Sequence, residues 1–192
     1  MPDRNQPALD FLLTRRSRPA KTLTGPVPSR AELDVILTAA ARTPDHGKLE
    51  PWRFIVLEHA ALQRLAGLAD QRGKALNLED EKTAKGSTQF ANGHLCVAVI
   101  EVQKPSEKIP ALEQTYSAGA VCLALLNAAL ASGWGANWLS AWPSHDRQFM
   151  QQGLALSDNE RIAGLMFLGT EKSTPPERPR PDLNAITTWV SK

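Results

Sequence analysis

Thr14-Arg15-Arg16-Ser17-Arg18 sets three guanidinium groups around a hydroxyl within five residues. Guanidinium is planar, permanently charged and fork-shaped, so this density suits a compact phosphate, with Ser17 adding a further donor. The same run also fits a solvated basic edge or a salt-bridged helix end. A second polar group, Arg42-Thr43-Pro44-Asp45-His46-Gly47, runs into Pro51-Trp52. A helix that stops at the proline lets the following loop turn Arg42 and His46 toward one pocket, where histidine offers a donor to an oxygen. Its plainer use is a helix-end cap or a local contact with Asp45. The third group is Gly133-Trp134-Gly135-Ala136-Asn137-Trp138-Leu139-Ser140. Its glycines suit close backbone approach to a flat ligand or a helix C-cap, and Trp138 suits stacking or simple packing. Taken together, the three groups make a cofactor site the leading reading.

Other chemistries are excluded by spacing. Gly133-Trp134-Gly135 follows a helix instead of opening one and lacks the dinucleotide fingerprint. Ser144-His145-Asp146 are sequence neighbours, whereas a hydrolytic triad is assembled from distant segments, and no Gly-x-Ser-x-Gly elbow occurs. His46, His59, His94 and His145 show no metal-ligand spacing, nor do the two cysteines, and there is no Walker-type loop.

The elements that must position these residues follow from periodicity. Pro7 to Arg15 reads as a short helix, and Lys21 to Pro28 as a loop. Ser29-Arg30-Ala31-Glu32 is a capping box that opens a helix with Leu33, Ile36, Leu37 and Ala40 on one face, ending before Pro44. Trp52 to Leu57 is a strand, His59 to Gln71 a helix, and Gly73 to Gln89 a polar, partly helical and mobile stretch. Leu95 to Val102, almost continuously apolar, reads as a central strand covered on both sides. Gln114 to Ser132 is a long helix stopped by Gly133, with almost no polar face. Such a helix belongs in a core or an interface, and a chain this short needs a partner subunit to bury it, which implies a homodimer. Ala136 to Leu139 reads as a strand, Ser144 to Gln152 as a helix capped by Ser144, and Ile162 to Leu168 as a strand closed by Gly169. Four prolines in Thr174 to Pro181 make an extended arm, and Ile186 to Val190 could add an edge strand, on this subunit or the other. The expected class is α+β, a small, mostly antiparallel central sheet flanked by helices, with the long buried helix at a dimer interface.

Bulk composition narrows the partners. The 192 residues are 42% hydrophobic and 22% charged, ordinary for a globular chain. Twenty-two basic against twenty acidic residues leave +2, which gives no ground for nucleic acid or an anionic membrane. Cys96 and Cys122 lie in apolar runs and read as small buried hydrophobes in a reducing compartment. Asp3 and Asp10 interrupt any signal-peptide layout, and no apolar run looks long and uncharged enough to span a bilayer, so the expected location is cytoplasmic.

In this order, the groups resemble the nitroreductase family of flavin enzymes, most closely its short single-domain branch. The resemblance runs from about residue 9 to 170. It is carried by Arg15-Arg16-Ser17-Arg18, Arg42-Thr43-Pro44-Asp45-His46 with Pro51-Trp52, Ser117-Ala118-Gly119, Trp138-Leu139-Ser140 and Ile162 to Thr170. It implies one domain over residues 1–192 with a C-terminal arm from about 171, and a homodimer binding FMN at the subunit interface. Arg15, Arg16 and Ser17 would contact FMN near its phosphate or the polar edge of its ring. Arg42 and His46 would approach from the same or the other subunit, with Trp138, Leu139 and Ser140 on the remaining side. The implied activity is ping-pong reduction of an organic acceptor, such as a nitroaromatic or quinone, by NAD(P)H through the flavin. No separate catalytic residue and no metal is implied; the alternative is an FMN-binding protein without turnover. Pocket walls are expected in the segment from Gly73 to Phe90. Three departures stand out: Glu50 where relatives often carry glutamine, Leu139 where relatives can carry a basic residue, and a divergent arm in which Arg178 and Arg180 are candidate phosphate contacts.

Overall fold

A computed structural model describes residues 3–192. Its helices are α1 (Gln6–Thr14), α2 (Arg30–Ala40), α3 (His59–Ala75), α4 (Asp80–Ala91), α5 (Ala111–Ala131), α6 (Arg147–Leu154) and the single turn α7 (Leu183–Ile186). Its strands are β1 (Leu23–Thr24), β2 (Trp52–Glu58), β3 (Leu95–Val102), β4 (Gly135–Leu139) and β5 (Glu160–Glu171). Every pairing is antiparallel. The order is β1-β5-β3-β2, and β4 also pairs with β5, along Leu165 to Gly169. The α+β expectation holds.

The pleat sends alternate residues to opposite faces. Val97, Val99, Ala136, Met166 and Leu168 meet α2 and α5, while Cys96, Ala98, Ile100, Leu165 and Phe167 meet α3, α4 and α6. This two-sided cover explains why β3 reads as an unbroken apolar run. Phe90 of α4, Phe149 of α6 and Phe167 of β5 pack as neighbouring rings that tie both helices to the sheet. Each such fully buried side chain contributes about 1.5–3 kcal/mol. Both thiols are buried, as expected, and burial pushes Cys122 up to about 12.

The capping box of α2 forms as read, with Ser29 and Glu32 bonding reciprocally. Several expectations need correction. The polar stretch after Gly73 is helical, as expected in part, and more fully so: α3 continues to Ala75, and α4 packs against it. Its packing depends on smallness, since Gly86 leaves room for the Trp142 indole where any Cβ would collide. Ser144 does not cap α6. It lies in the preceding turn Trp142–His145, and Asp146 caps the helix, accepting from Phe149 N at 3.0 Å. β5 passes through Gly169, which pairs with Gly135, and runs on to Glu171. Residues 187–190 form no strand within the chain, and Leu183, Ile186, Trp189 and Val190 are exposed. By length and composition α5 does reach what a bilayer-crossing helix needs, at a mean hydropathy of 1.2 over 21 residues. Its Ser117, Ala118, Val121, Cys122, Leu125, Leu126 and Ala129 are nonetheless buried against the sheet and α2. Burial is one-sided, however: Leu112, Tyr116 and Leu123 are left open on its outer face.

Candidate cofactor site

Residues 15–18 leave α1 and run along the outer edge of β4. Arg18 N donates to Ala136 O at 2.8 Å, and Asn137 Nδ2 donates to Arg18 O at 2.8 Å. That docking fixes the backbone beneath the arginines. Arg15 reaches Ser17 Oγ at 3.1 Å through a terminal guanidinium nitrogen, while its Nε is buried without a partner. Arg18 pairs with Glu171, and Arg16 Nε donates to Pro176 O of the arm at 3.4 Å. Loss of solvent, then the charges of Arg180, Arg16 and Arg18, hold the Arg15 guanidinium below its ordinary value. The arm thus brings Arg180 into the same cluster. Arg15, Arg16 and Arg18 line a cleft of about 320 Å³ together with Phe11, Trp134 and Glu171. Partly desolvated cations with a buried free donor can take an anion as partner.

The chain continues through Pro19, Ala20 and Lys21 into the wall of a second cleft, of about 410 Å³. Leu139 and Phe167 give it an apolar floor. Its rim carries Lys21, Asn137 and, from α4, Lys85, Thr88 and Gln89. Gln89 Nε2 is buried without a partner. Cationic cleft and apolar cleft are therefore joined by a few residues of one strand-edge segment. Lys85, Thr88 and Gln89 were expected only as an unspecified part of the stretch from Gly73 to Phe90. Their i, i+3, i+4 spacing puts them on one helical face, but polar residues so spaced look like any solvated face.

β4 divides the third group. Trp138 lies on the α5 side, its indole over Gly164 and beside Cys122, in space that a Cβ on Gly164 would fill. Leu139, one residue on, lines the apolar cleft on the opposite face. Ser140 stands past the strand end, its Oγ 3.1 Å from His145 Nε2. The three do not form one wall.

Arg42 and His46 lie elsewhere. Both are exposed, and His46 Nδ1 sits 2.7 Å from Glu113 Oε2 near the start of α5. Leu130, which lines the arginine cleft, lies 17 residues further along that helix, about 25 Å at 1.5 Å per residue. Within one chain, then, Arg42 and His46 are not brought to Arg15, Arg16 and Ser17. Glu50 is exposed, with a left-handed φ of 48°.

Comparison with known proteins bears on this arrangement. The Nitroreductase family profile matches residues 12–170. YdjA of Escherichia coli K12, provisionally named an NAD(P)H nitroreductase, is 31% identical over 163 residues, 85% of this chain and 87% of the relative. A protein of Haemophilus influenzae with the same provisional designation is 33% identical over 165 residues, 85% of this chain and 88% of the relative. Among solved structures, a nitroreductase-like family protein from Bacillus cereus superposes with a TM-score of 0.78 at 20% identity, covering 99% of this chain and 98% of that one. A provisionally named nitroreductase from Desulfovibrio desulfuricans, solved in complex with FMN, superposes with a TM-score of 0.76 at 19% identity, covering 98% and 99%. At such identities the solved structures speak to the fold. The profile and the two relatives above 30% identity reach further: the chain belongs to the nitroreductase family.

Proposed function

We infer that the chain is an FMN-dependent oxidoreductase that uses NAD(P)H to reduce an organic acceptor. The observation that carries this reading is the buried, unpartnered Nε of Arg15 in a partly desolvated arginine cluster, joined to an apolar cleft of about 410 Å³. One end suits a phosphate and the other a flat, largely apolar ring with a polar edge. The residues fit the group. Arg15, Arg16 and Ser17, with Arg180 from the arm, would hold the phosphate. Leu139 and Phe167 would face the ring, and Lys21, Lys85, Thr88 and Gln89 would meet its polar edge.

Arg42 and His46, stranded at the far end of α5, would complete the site of a second copy. The open stripe of Leu112, Tyr116 and Leu123 and the exposed apolar residues of the arm support a homodimer as the working form. In that form Trp138 and Ser140 would flank the cofactor beside the partner's loop. When bound, FMN supplies two-electron transfer from NAD(P)H to an acceptor such as a nitroaromatic or quinone. The protein's own part is to bind, orient and shield. The ammonium groups at the rim would favour added negative charge at the ring's polar edge, and the apolar floor excludes water from beneath it. A cytoplasmic setting, with its nicotinamide pool and reduced thiols, suits this chemistry.

The visible absorption spectrum of the purified protein, before and after anaerobic NADH or NADPH, tests the reading. A flavin band that bleaches and returns with air is the expected result. A flavin that stays oxidised with both donors would leave a binding protein without turnover. Failure to take up FMN at all would overturn the cofactor assignment.

A further inference from the structure

The loop that carries His46 is held in an unfavourable shape, by α5, by Ile109 just before it and by a bond within the loop. Gly47, Lys48 and Glu50 all adopt left-handed φ values, of 73°, 54° and 48°. For two non-glycine residues within three positions that conformation costs free energy and persists only where neighbours impose it. Gly47 is confined by Ile109, whose side chain occupies the place a Cβ would take. Glu50 N donates to Asp45 Oδ2 at 2.7 Å, closing the loop on itself. One buried hydroxyl ties both ends of the segment to the body of the protein. Ser117 Oγ donates to Pro44 O at 2.9 Å and accepts from Trp52 Nε1 at 3.1 Å. Ser117 is buried, so it clamps both ends of the segment between Pro44 and Trp52. One turn earlier on α5, Glu113 receives His46 Nδ1 at 2.7 Å, which leaves Nε2 as the ring nitrogen free for a ligand.

We propose that Ser117 is a positioning residue that fixes the loop from Pro44 to Glu50, so that His46 is presented ready-made to the cofactor site of a second copy. The inference rests on the functional reading above, in which that loop completes the partner's FMN site. The physical case is preorganisation. A loop ordered before the cofactor arrives loses less freedom on binding, and a strained loop without its clamp relaxes to many shapes. Ser117 itself touches no cofactor; it acts through Pro44 and Trp52.

The test uses the full-length protein and three variants. Ser117→Ala removes both bonds, Ser117→Thr keeps the hydroxyl, and His46→Ala removes the presented ring. FMN dissociation constants are measured by flavin fluorescence. Hydrogen exchange of the amides of residues 45–50 is followed in the cofactor-free protein. For Ser117→Ala the expected result is a dissociation constant about tenfold higher and faster exchange across the loop. Ser117→Thr should return both toward wild type, and His46→Ala should weaken FMN while leaving loop exchange unchanged. A Ser117→Ala protein that melts earlier yet binds FMN as tightly as wild type overturns the inference, since Ser117 would then serve stability alone. Unchanged loop exchange in that variant overturns it as well. If His46→Ala binds FMN normally, the loop is not part of the site and the inference fails while the cofactor reading stands. If wild type takes up no FMN, both fail together.

Discussion

Arg161 and Arg15 are the same residue type in opposite company. Arg161 meets the Glu101 carboxylate with two nitrogens and Thr115 Oγ1 with one of them, and Glu101 itself is only 2% exposed. Arg72 grips Asp146 in the same two-pronged way, and Arg53 grips Glu160. In these three pairs each guanidinium is matched by a carboxylate. Arg15 faces a hydroxyl and three other arginines instead, with a buried donor unused. A family of matched pairs holds secondary structure together, whereas an unmatched group is stability withheld for a ligand. Counting arginines does not separate the two; asking what answers each one does.

The largest effect that could break this contrast is on the matched side. Arg161→Ala strands the Glu101 carboxylate in the interior, and such removals cost about 3 kcal/mol, less than for a fully buried pair because Arg161 is half solvated. Urea unfolding measures it, and a loss under about 1 kcal/mol would make the matched pair no more structural than a surface contact. Arg15→Ala should do the reverse. Stability stays within about 0.5 kcal/mol, while FMN affinity falls roughly 10- to 100-fold, the equivalent of one or two charge-assisted bonds. Calorimetric titration beside a thermal melt separates the two; a stability loss as large as that of Arg161→Ala would erase the contrast.

Acid sharpens it further. The Arg72 hydrogen bonds hold Asp146 below the ordinary carboxylate range, and those of Arg53 do the same for Glu160. For Glu101 burial pushes upward, but Arg161, Thr115 and Gln103 together outweigh it. A depressed carboxylate binds fewer protons folded than unfolded. Its contribution is complete above the unfolded value, near 4.3 for glutamate, and is lost as pH falls through the lower folded value. The melting temperature of the cofactor-free protein should thus be level from about pH 7 to 5.5 and drop below about pH 4.5. The arginine cluster adds no slope there, because guanidinium does not titrate. The smallest effect is on the unmatched side. Inorganic phosphate at constant ionic strength should raise the melting temperature by about 2–4 °C where it reaches several times its dissociation constant. The Arg15→Ala protein should show no such rise, and an equal rise in both would mean that phosphate acts elsewhere.

Much of this was legible from residue order. β3 announced itself because both faces are covered, and α2 because Ser29 and Glu32 spell its start. The arginine cluster was legible as charge density, but residue order alone left a phosphate site and a salt-bridged helix end equally open. The full extent of α4 was hidden because it packs through Gly86 and Thr83, which leave no apolar period. Lys85, Thr88 and Gln89 were invisible for the same reason: a helix face that lines a cleft is written in the same letters as one that faces water. Ser144 was a plausible cap, but Asp146 two residues later accepts from Phe149 N and from Arg72, which no local pattern reveals. The separation of Arg42 and His46 from Arg15 depends on the length of α5 and the antiparallel run of α2 against it, a property of packing and not of spacing.

Trp138 and Leu139 differ by one peptide bond and look onto different worlds. The indole leans on Gly164 and Cys122 on one side of the sheet, and the leucine walls the apolar cleft on the other. A substitution at position 139 therefore changes the lining of the apolar cleft while leaving the contacts with Gly164 and Cys122 in place, and a substitution at 138 changes those contacts and spares the cleft lining.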